Sequence, residues 1–311
     1  RLCKKSLHFS ALFTCNIQIK ERNDSMKVLA IGDNVMDIYL DSKRIFPGGN
    51  AVNFSVMATR IPKITSGYLG NFGNDNLAEL MKSTLKTFNV NIDHCRNLKG
   101  ESGYSLVKVV NGDRKFLASN RGGVLNQGIK ISDDKDYINA MDLIHLSVNG
   151  KGKEIINYIN KPKIVYDYSD FSNEDEITLT INNVDLACFS VGNISKDKVV
   201  ERARQLQSMG NYHTILLFTM GKQGAMVFTG NRCYYQSAQL TNHIKDTMGA
   251  GDSFITYFST GLLRENWDIS SIPNILKSAS LFSAKQLQID GSLGVSFKIP
   301  DLRLKELCKE R

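Results

Sequence analysis

Short apolar runs alternate with segments of helical period through most of the chain. The runs at 28–31 and 64–69 are typical of buried strands, because about four to eight apolar residues in a row fit a strand that is covered on both faces. Further β-like runs stand at 143–146, 164–166, 186–189 and 215–218. Segments with helical spacing lie at 76–88, 152–159, 174–182 and 195–209. Strands that alternate with helices in this way predict parallel βαβ units and an α/β fold.

A different pattern surrounds residue 111. Residues 104–110 read as a strand, an Asn-Gly-Asp turn follows at 111–113, and the apolar pattern resumes at 116–117. Asn-Gly between two such runs is a strong signal for a β-hairpin. The hairpin belongs either to the edge of the main sheet or to a separate small sheet.

Composition and charge are those of a soluble globular protein. The 311 residues are 42% hydrophobic and 23% charged, and no apolar run reaches the ~20 residues of a membrane span. The net charge of +8 includes no dense basic cluster beyond the first residues, so neither nucleic acid nor a membrane is an expected partner. Six cysteines stand far apart, without metal-ligand spacing, which predicts free thiols and a cytoplasmic protein.

The two ends of the chain differ from the part between them. Residues 1–26 hold a short apolar stretch that is interrupted by polar residues and makes a poor secretory signal, and Met26 stands directly before the first strand. We interpret residues 1–26 as a non-native or disordered N-terminal extension. Lysine and glutamate interleave in residues 300–311, which we interpret as a C-terminal surface tail.

The segment 246–252, of sequence Asp-Thr-Met-Gly-Ala-Gly-Asp, precedes an apolar segment of helical period. Its two glycines let the backbone curve around an anion, and the first N–H groups of the following helix have no partner inside the helix, so the turn suits a phosphate. Asp252 falls in the first helical turn, where a carboxylate can accept a proton from a hydroxyl. A helix start with Asp252 as a dipole-compensating residue is the simpler alternative.

Polar residues collect at two places in the N-terminal half. Asp33 and Asp37 follow the first strand, at the sheet edge where ligands of open α/β folds gather. The segment 48–53, of sequence Gly-Gly-Asn-Ala-Val-Asn, brings two further amides, Asn50 and Asn53, to a predicted helix start. Carboxylates and amides together supply the acceptors and donors that sugar hydroxyls need. An Asx turn and a plain Gly-Gly loop are the structural alternatives.

A Thr–Gly element follows the strand at 215–218. Thr219, Gly221 and Gly224 can hold the ribose and phosphates of a nucleotide, although a tight hairpin turn explains the same residues. No Gly-x-x-x-x-Gly-Lys-Ser/Thr P-loop occurs in the sequence. His145 ends another strand and is expected to be a packed core residue.

These motifs together resemble the ribokinase-like (PfkB) family of carbohydrate kinases, from about Lys27 to Gly294. Segment 246–252 is similar to the family's C-terminal signature and segment 48–53 to its N-terminal one. The resemblance implies a kinase domain, over 27–299, that transfers the γ-phosphate of ATP to a sugar hydroxyl.

The fold implied by this resemblance is a three-layer α/β/α domain with a mostly parallel central sheet and a small β-sheet lid. We assign the lid to about 38–48 and 103–120. A lid sheet with an open edge can pair with the same edge of a second chain, so a homodimer is among the expectations.

The resemblance also implies a role for each motif residue. Asp252 is expected to be the catalytic base, and Asp246 is expected to help bind a monovalent cation such as K⁺. The anion hole is expected to be Gly249, Ala250 and Gly251, the sugar-binding residues Asp33, Asp37, Gly48, Gly49, Asn50 and Asn53, and the ATP-binding residues Asn193, Thr219, Gly221 and Gly224.

The metal shell is where the sequence departs from the family pattern. Relatives often carry Asn-x-x-Glu after the strand at 186–189, whereas this chain has Ser-Val-Gly-Asn at 190–193, without the glutamate. We expect Mg²⁺ to be held mainly through the ATP phosphates and water, unless another acid replaces the glutamate, and we expect no site built from protein ligands alone.

The most specific expectation concerns the identity of the acceptor sugar. The motifs at 32–39, 48–53, 166–170 and 246–255 together resemble those family members that phosphorylate fructoselysine, which implies fructoselysine 6-phosphate as the product. Fructose, ribose or nucleoside acceptors stay open, as does a non-catalytic sugar or nucleotide sensor on the same fold, because a few pocket residues decide the substrate.

Overall fold

A central eight-stranded sheet carries the fold, and a five-stranded sheet accompanies it. The computed structural model describes residues 25–110, 113–170, 173–192, 194–210, 212–241 and 243–299. The strands, in chain order, are β1 (Met26–Ile31), β2 (Val35–Tyr39), β3 (Arg44–Gly48), β4 (Ile64–Leu69), β5 (Asn71–Phe72), β6 (Arg96–Asn97), β7 (Gly103–Val110), β8 (Asp113–Asn120), β9 (Leu143–Ser147), β10 (Lys163–Asp167), β11 (Leu186–Ser190), β12 (Ile215–Thr219), β13 (Ala225–Thr229), β14 (Arg232–Gln236) and β15 (Phe297–Lys298). The α-helices are α1 (Asn50–Ala58), α2 (Asn76–Thr87), α3 (Gly122–Asn126), α4 (Lys135–Asn139), α5 (Glu174–Thr180), α6 (Lys196–Met209), α7 (Ala250–Arg264) and α8 (Ile272–Gln286).

The central sheet is mostly parallel. Its strand order is β14-β13-β12-β11-β10-β9-β1-β4, and the six strands from β12 to β4 run parallel. Strands β13 and β14 return antiparallel at one edge. The parallel βαβ units expected from the apolar runs are confirmed.

Two helical layers cover the two faces of this sheet. Because side chains alternate along a strand, Val28 and Ala30 enter one core while Leu29 and Ile31 enter the other. The first core holds the buried faces of α1, α2, α7 and α8, and the second holds those of α5 and α6. The fold is therefore the expected three-layer α/β/α arrangement.

The five-stranded sheet is the small sheet that the sequence predicted. Its order is β15-β3-β2-β7-β8, with Asp37 opposite Phe46 in the β2–β3 pair. Strands β7 and β8 form an antiparallel pair with an irregularity between Leu106 and Val107, and β7 pairs with β2. The hairpin thus belongs to the small sheet, as assigned, and the alternative of an edge hairpin of the main sheet is wrong. Its turn residues 111–112 lie outside the described residues.

Residues 152–159 do not form the predicted helix. They form two short 3₁₀ turns, Gly152–Glu154 and Ile156–Tyr158. Lys151 enters them at φ 57°, and Ile159 is already extended before Pro162. In such a short segment the backbone N–H and C=O groups can pair through i→i+3 hydrogen bonds, so 3₁₀ turns form in place of an α-helix.

Strands β13 and β14 were not predicted. The pattern of β14 carries little period-2 signal, because Arg232 and Cys233 are exposed and the remaining side chains are only partly buried or exposed. Gly224 makes the return from β12 possible, since it adopts φ 102° and a Cβ there would lie 2.0 Å from the Gln236 carbonyl oxygen. The hairpin-turn interpretation of this segment is structurally correct.

His145 lies in the core, as its strand position predicts. Its ring stacks on Phe54 with a centroid distance of 4.4 Å, and burial lowers its pKa to about 3. The ring therefore stays neutral at physiological pH, and nothing about it indicates a catalytic role.

None of the helices in the described part of the chain is both long and apolar enough to cross a membrane. Residues 1–24 and 300–311 lie outside the described residues, so the interpretations of the N-terminal extension and the C-terminal tail stay predictions.

Candidate active site

The start of α7 brings the glycine-rich turn to the sheet. Gly249 occupies the N-cap position at φ 73°, and a Cβ there would lie 2.9 Å from both Met57 Cε and Ser292 Cβ. A side chain is thus excluded by backbone conformation and by space at once. Ala250 is the first helical residue, and Asp252 falls in the first turn, as predicted. The helix start therefore presents N–H groups and a carboxylate side by side.

Helix α1 supplies the partners of that carboxylate. Asn53 Nδ2 donates to Asp252 Oδ2 over 2.6 Å, and Asn50 Nδ2 lies 3.3 Å from Asp252 Oδ1. Gly49, the N-cap residue of α1, lets the start of this helix lie against Asp33. Its φ is 106°, and a Cβ there would lie 3.1 Å from Asp33 Oδ2. The two signature segments, about 200 residues apart in sequence, therefore meet at one place.

Asp167 belongs to the same cluster. Asn50 Nδ2 donates to Asp167 Oδ2 over 2.7 Å, and Asn149 Nδ2 donates to Asn50 Oδ1 over 2.9 Å. The segment 166–170 was named among the motifs that carry the family resemblance, but no individual role was assigned to Asp167. The signal that identifies it is its position as the last residue of a parallel strand, where polar side chains face the ligand edge.

Burial and mutual repulsion shift the pKa values of these carboxylates upward. Desolvation, with the charge of Asp167 next, raises the pKa of Asp252 to about 8, against the lowering effect of the Asn53 hydrogen bond. Desolvation likewise raises the pKa of Asp167 to about 6 and raises the pKa of Asp33. A carboxyl group with a pKa close to neutrality is suited to general base chemistry.

Two further acidic residues come from the first strands. Asp33 is 4% exposed in the loop after β1, and its Oδ1 has no hydrogen-bond partner among the described residues. Asp37 is buried on β2 and faces Gly48, where a Cβ would lie 2.8 Å from Asp37 Oδ2. Both charges raise the pKa of Asp252, which shows that they share its electrostatic environment.

The proposed nucleotide side lies at the ends of β11 and β12. Ser190 Oγ and Thr219 Oγ1 lie 3.3 Å apart, and Gly251 faces Ser190, whose Oγ would be 3.9 Å from a Cβ at Gly251. Gly221 and Gly224 close the turn that follows Thr219, with the Gly224 N–H donating to the Gly221 carbonyl over 3.1 Å. Asn193, the fourth residue expected here, lies outside the described residues.

Asp246 anchors the turn before α7. Its Oδ1 accepts the Met248 N–H over 3.0 Å, and its Oδ2 accepts the Gly291 N–H over 2.8 Å and lies 3.4 Å from the Tyr39 hydroxyl. These bonds tie the turn to β2 and to the loop after α8. The carboxylate therefore has a structural role beside any contact with a cation.

The described residues contain no group of three or more histidine, cysteine, aspartate or glutamate side chains placed to hold a metal. The carboxylates of the cluster instead hydrogen-bond amide groups, as Asp167 and Asp252 do with Asn50 and Asn53.

Comparison with known proteins identifies relatives over most of the chain. The pattern of the pfkB family carbohydrate kinases matches residues 25–292. Fructosamine kinase FrlD of Bacillus subtilis is 33% identical over 276 residues, which cover 88% of this chain and 94% of that protein. Fructoselysine 6-kinase of Escherichia coli is 27% identical over 269 residues, 86% of this chain and all of that protein.

Solved structures show the same fold. The structure of Arabidopsis thaliana ribokinase complexed with ribose and ATP superposes with a TM-score of 0.75 at 16% identity, over 92% of this chain and 99% of that one. Fructokinase from Vibrio cholerae, with fructose, ADP and calcium ion bound, gives a TM-score of 0.68 at 20% identity, over 91% and 99% of the two chains. At these identities the likeness concerns the fold.

Proposed function

Because the chain belongs to the pfkB family of carbohydrate kinases, we propose that it transfers the γ-phosphate of ATP to fructoselysine and forms fructoselysine 6-phosphate. Two relatives that cover nearly the whole domain are named fructosamine kinase and fructoselysine 6-kinase, which supports an amine-linked ketose as the acceptor. The observation that carries the phosphoryl-transfer chemistry is the pairing of Asp252 with Asn53 at the glycine-rich start of α7.

In this proposal Asp252 is the catalytic base. It takes the proton of the attacking sugar hydroxyl while that oxygen forms a bond to the γ-phosphorus and the bond from phosphorus to the ADP oxygen breaks. A pKa of about 8 keeps the carboxyl basic enough to accept that proton. Positioning and electrostatic stabilisation supply most of the remaining rate, as is usual for phosphoryl transfer.

The start of α7 would stabilise the negative charge on the phosphoryl group during transfer. The N–H groups of Gly249, Ala250 and Gly251 would donate to the phosphoryl oxygens, helped by the positive end of the helix dipole. The Ala250 N–H lies 3.4 Å from the Thr247 carbonyl, a long contact that a phosphoryl oxygen can replace.

The acceptor would lie between α1 and the small sheet. Asp37, Asn50 and Asn53 offer side-chain acceptors and donors to sugar hydroxyls, and Gly48 and Gly49 leave room for the sugar against the backbone. Asp33 lies beside Gly49 at the same place, since a Cβ on Gly49 would be 3.1 Å from Asp33 Oδ2. Closure of the small sheet over the sugar would exclude water and so limit ATP hydrolysis.

The nucleotide would lie across the ends of β11 and β12, on Thr219, Gly221 and Gly224, with Asn193 beside the phosphates. Mg²⁺ would be held by those phosphates and water, and would neutralise charge that develops during transfer. We further propose that Asp246 organises a K⁺ site near the anion hole. A rate that is independent of K⁺ across a full titration would remove that part of the proposal.

A homodimer is part of the same proposal. Strand β8 is an end strand of the five-stranded sheet, and Leu117 on it is 41% exposed. An open strand edge with an apolar side chain can pair with a second copy. Light scattering after size exclusion decides this, and a monomer at micromolar concentration would contradict it.

The experiment that tests the function measures ADP release with Mg-ATP and fructoselysine, fructose, ribose or adenosine as acceptor. The Asp252→Asn variant keeps the size of the side chain and removes the base. Turnover that favours fructoselysine and is abolished in the variant supports both substrate and mechanism. Turnover with another acceptor alone replaces the substrate, and measurable binding without any turnover identifies a sensor.

A further inference from the structure

A pocket next to Asp33, beside the place proposed for the sugar, contains two buried acceptor oxygens without donors. The pocket is lined by Asp33, Asn71, Arg121, Leu125 and Lys151, among others. Among the described residues, neither Asp33 Oδ1 nor Asn71 Oδ1 has a hydrogen-bond partner, although Asp33 is only 4% and Asn71 only 2% exposed. Buried acceptors without donors are costly, and the enclosed part of the pocket measures only about 10 Å³, so the two oxygens suit one small group with N–H or O–H donors, such as an ammonium or a water.

The rest of each side chain is held firmly in place. Burial raises the pKa of Asp33, and the backbone N–H groups of Ala51 and Asn50 at the start of α1 act in the opposite direction, so this carboxylate lies next to that helix start. The Asn71 Nδ2 donates to the carbonyl oxygen of Gly128 over 2.6 Å, which also settles which end of the amide faces the pocket. The Asn71 oxygen therefore stays directed away from the carbonyl groups to which its amide donates.

Two cationic side chains complete the lining. Arg121 donates to the Asn149 carbonyl over 2.8 Å, and Lys151 donates to the Asn126 carbonyl over 3.2 Å. Within the described ranges, neither forms a salt bridge with a carboxylate at 4 Å or less. Arg121 nevertheless lowers the pKa of Asp33, so the opposite charges lie within electrostatic reach of each other. The pocket thus presents acceptors for a cation and donors for an anion.

The pocket borders the place proposed for the sugar. The Asp33 carboxylate that lines it also lies against Gly49, where a Cβ would be 3.1 Å from its Oδ2. Gly150 and Gly32 also line the pocket, and their backbones lie in close contact, since a Cβ on Gly150 would be 2.6 Å from the Gly32 Cα. The pocket and the glycine proposed to face the sugar therefore share the Asp33 carboxylate.

We propose that this pocket binds the amino-acid part of the acceptor: Asp33 Oδ1 and Asn71 Oδ1 accept from the protonated secondary amine, and Arg121 and Lys151 bind the carboxylate. This inference rests on the proposed function, because it assumes an amine-linked ketose. It adds to that function a reason for specificity: charge pairing in this pocket would distinguish a glycated amino acid from a plain ketose.

The test compares three acceptors: fructoselysine; 1-butylamino-1-deoxyfructose, which keeps the secondary amine but lacks the α-amino and α-carboxylate groups; and fructose, which also lacks the amine and the alkyl chain. Steady-state kcat and KM are measured for wild type, Asp33→Asn, Arg121→Gln, Arg121→Lys and Lys130→Gln. Lys130 is exposed and does not line the pocket, so its variant controls for the loss of one positive charge.

The expected result is a pattern across acceptors. Asp33→Asn should raise KM for both amine-linked acceptors on the order of tenfold more than for fructose, since it removes one charge-assisted bond. Arg121→Gln should raise KM several-fold for fructoselysine alone, Arg121→Lys should restore most of that loss, and Lys130→Gln should change nothing. Equal effects of Asp33→Asn on all three acceptors would overturn the proposal.

Two outcomes separate this inference from the function beneath it. If wild type phosphorylates the amine-linked acceptors but the variants change all acceptors alike, only the pocket assignment fails. If wild type phosphorylates fructose or ribose and neither amine-linked acceptor, the proposed function fails and this inference with it. Should Asp33→Asn unfold, as a thermal melt would show, the Arg121 pair carries the test alone, because that side chain is exposed.

Discussion

Asn53 donates its side-chain amide to Asp252 across 2.6 Å, and this single bond joins two helices whose residues are 199 positions apart. Asn53 lies on α1 and Asp252 in the first turn of α7, and the two helices pack on the same face of the central sheet. The bond fixes the carboxylate in direction and lowers a pKa that desolvation raises. It is the shorter of two contacts from the N-terminal signature to the proposed base, the other being that of Asn50 Nδ2 at 3.3 Å.

Replacement of that base should abolish turnover without loss of the fold. We expect Asp252→Asn to lower kcat by about 10²–10⁴-fold, the usual contribution of general base catalysis. Asparagine keeps one acceptor oxygen for Asn53, so ATP binding measured by calorimetry should stay within a few-fold of wild type. A variant that retains more than a tenth of wild-type kcat would remove Asp252 from the base role.

The pH profile should report the same group. A base must be deprotonated to act, so log kcat/KM should rise with slope one as pH increases and level off near the Asp252 pKa of about 8. Initial rates between pH 5.5 and 9.5 at saturating Mg-ATP measure this. A flat profile across that range would mean that no group with this pKa limits the reaction.

Removal of the Asn53 amide should move that profile in a defined direction. The hydrogen bond favours the charged carboxylate, so Asn53→Ala should raise the Asp252 pKa and shift the rise of kcat/KM to higher pH. Ser83→Ala, which removes an exposed hydroxyl on α2, is the control and should leave the midpoint unchanged. A shift to lower pH would contradict the assigned role of the bond.

The same carboxylate should make the folded protein less stable as pH rises. Its pKa is about 8 in the folded state and near 3.8 when unfolded, so the folded state binds more protons between these values. The stability that this proton provides is complete below about pH 4 and is lost as pH rises through 8. Asp167, with a pKa of about 6, adds a loss in the same direction at lower pH. Urea unfolding without ligands at pH 5.5 and 8.5 should show a smaller decrease for Asp252→Asn than for wild type, and equal decreases would contradict this.

The elements of regular structure were the easier part to infer from sequence. Fully buried parallel strands leave continuous apolar runs, and β9 to β12 were found within one or two residues of their bounds. Strand β14 was missed because it pairs on one side only and lacks a period-2 pattern. Residues 152–159 have apolar spacing of helical type but form 3₁₀ turns: Lys151 precedes the first turn in a left-handed conformation, and the extended backbone at Ile159 ends the second.

The site was only partly accessible to the same reasoning. Motif residues carry a local signal, so the carboxylate and amide positions could be named in advance. The placement of Asp167 against Asn50, and of Asp33 Oδ1 and Asn71 Oδ1 at one pocket, depends on contacts between segments far apart in sequence. No periodicity records such contacts, because each partner is an ordinary polar residue at a loop or strand end.

Two glycines of the same turn should respond to alanine in opposite ways. At Gly249 an added Cβ would meet Met57 and Ser292 at 2.9 Å, and φ is 73°, so Gly249→Ala should cost about 1–3 kcal/mol of unfolding free energy. At Gly251 the nearest atom outside the neighbouring backbone of α7 would be Ser190 Oγ at 3.9 Å, and the residue is already helical. Gly251→Ala should therefore keep or slightly raise stability, by up to about 1 kcal/mol.

Activity should fall in both variants for different reasons. Gly249→Ala displaces the turn that carries the proposed anion hole, whereas Gly251→Ala places a methyl group beside the space proposed for the phosphoryl oxygens and leaves the fold intact. Urea unfolding and kcat, measured on the same samples, separate the two effects. A Gly251→Ala variant with wild-type kcat would show that the phosphoryl group does not pass this close to α7, and would move the anion hole elsewhere.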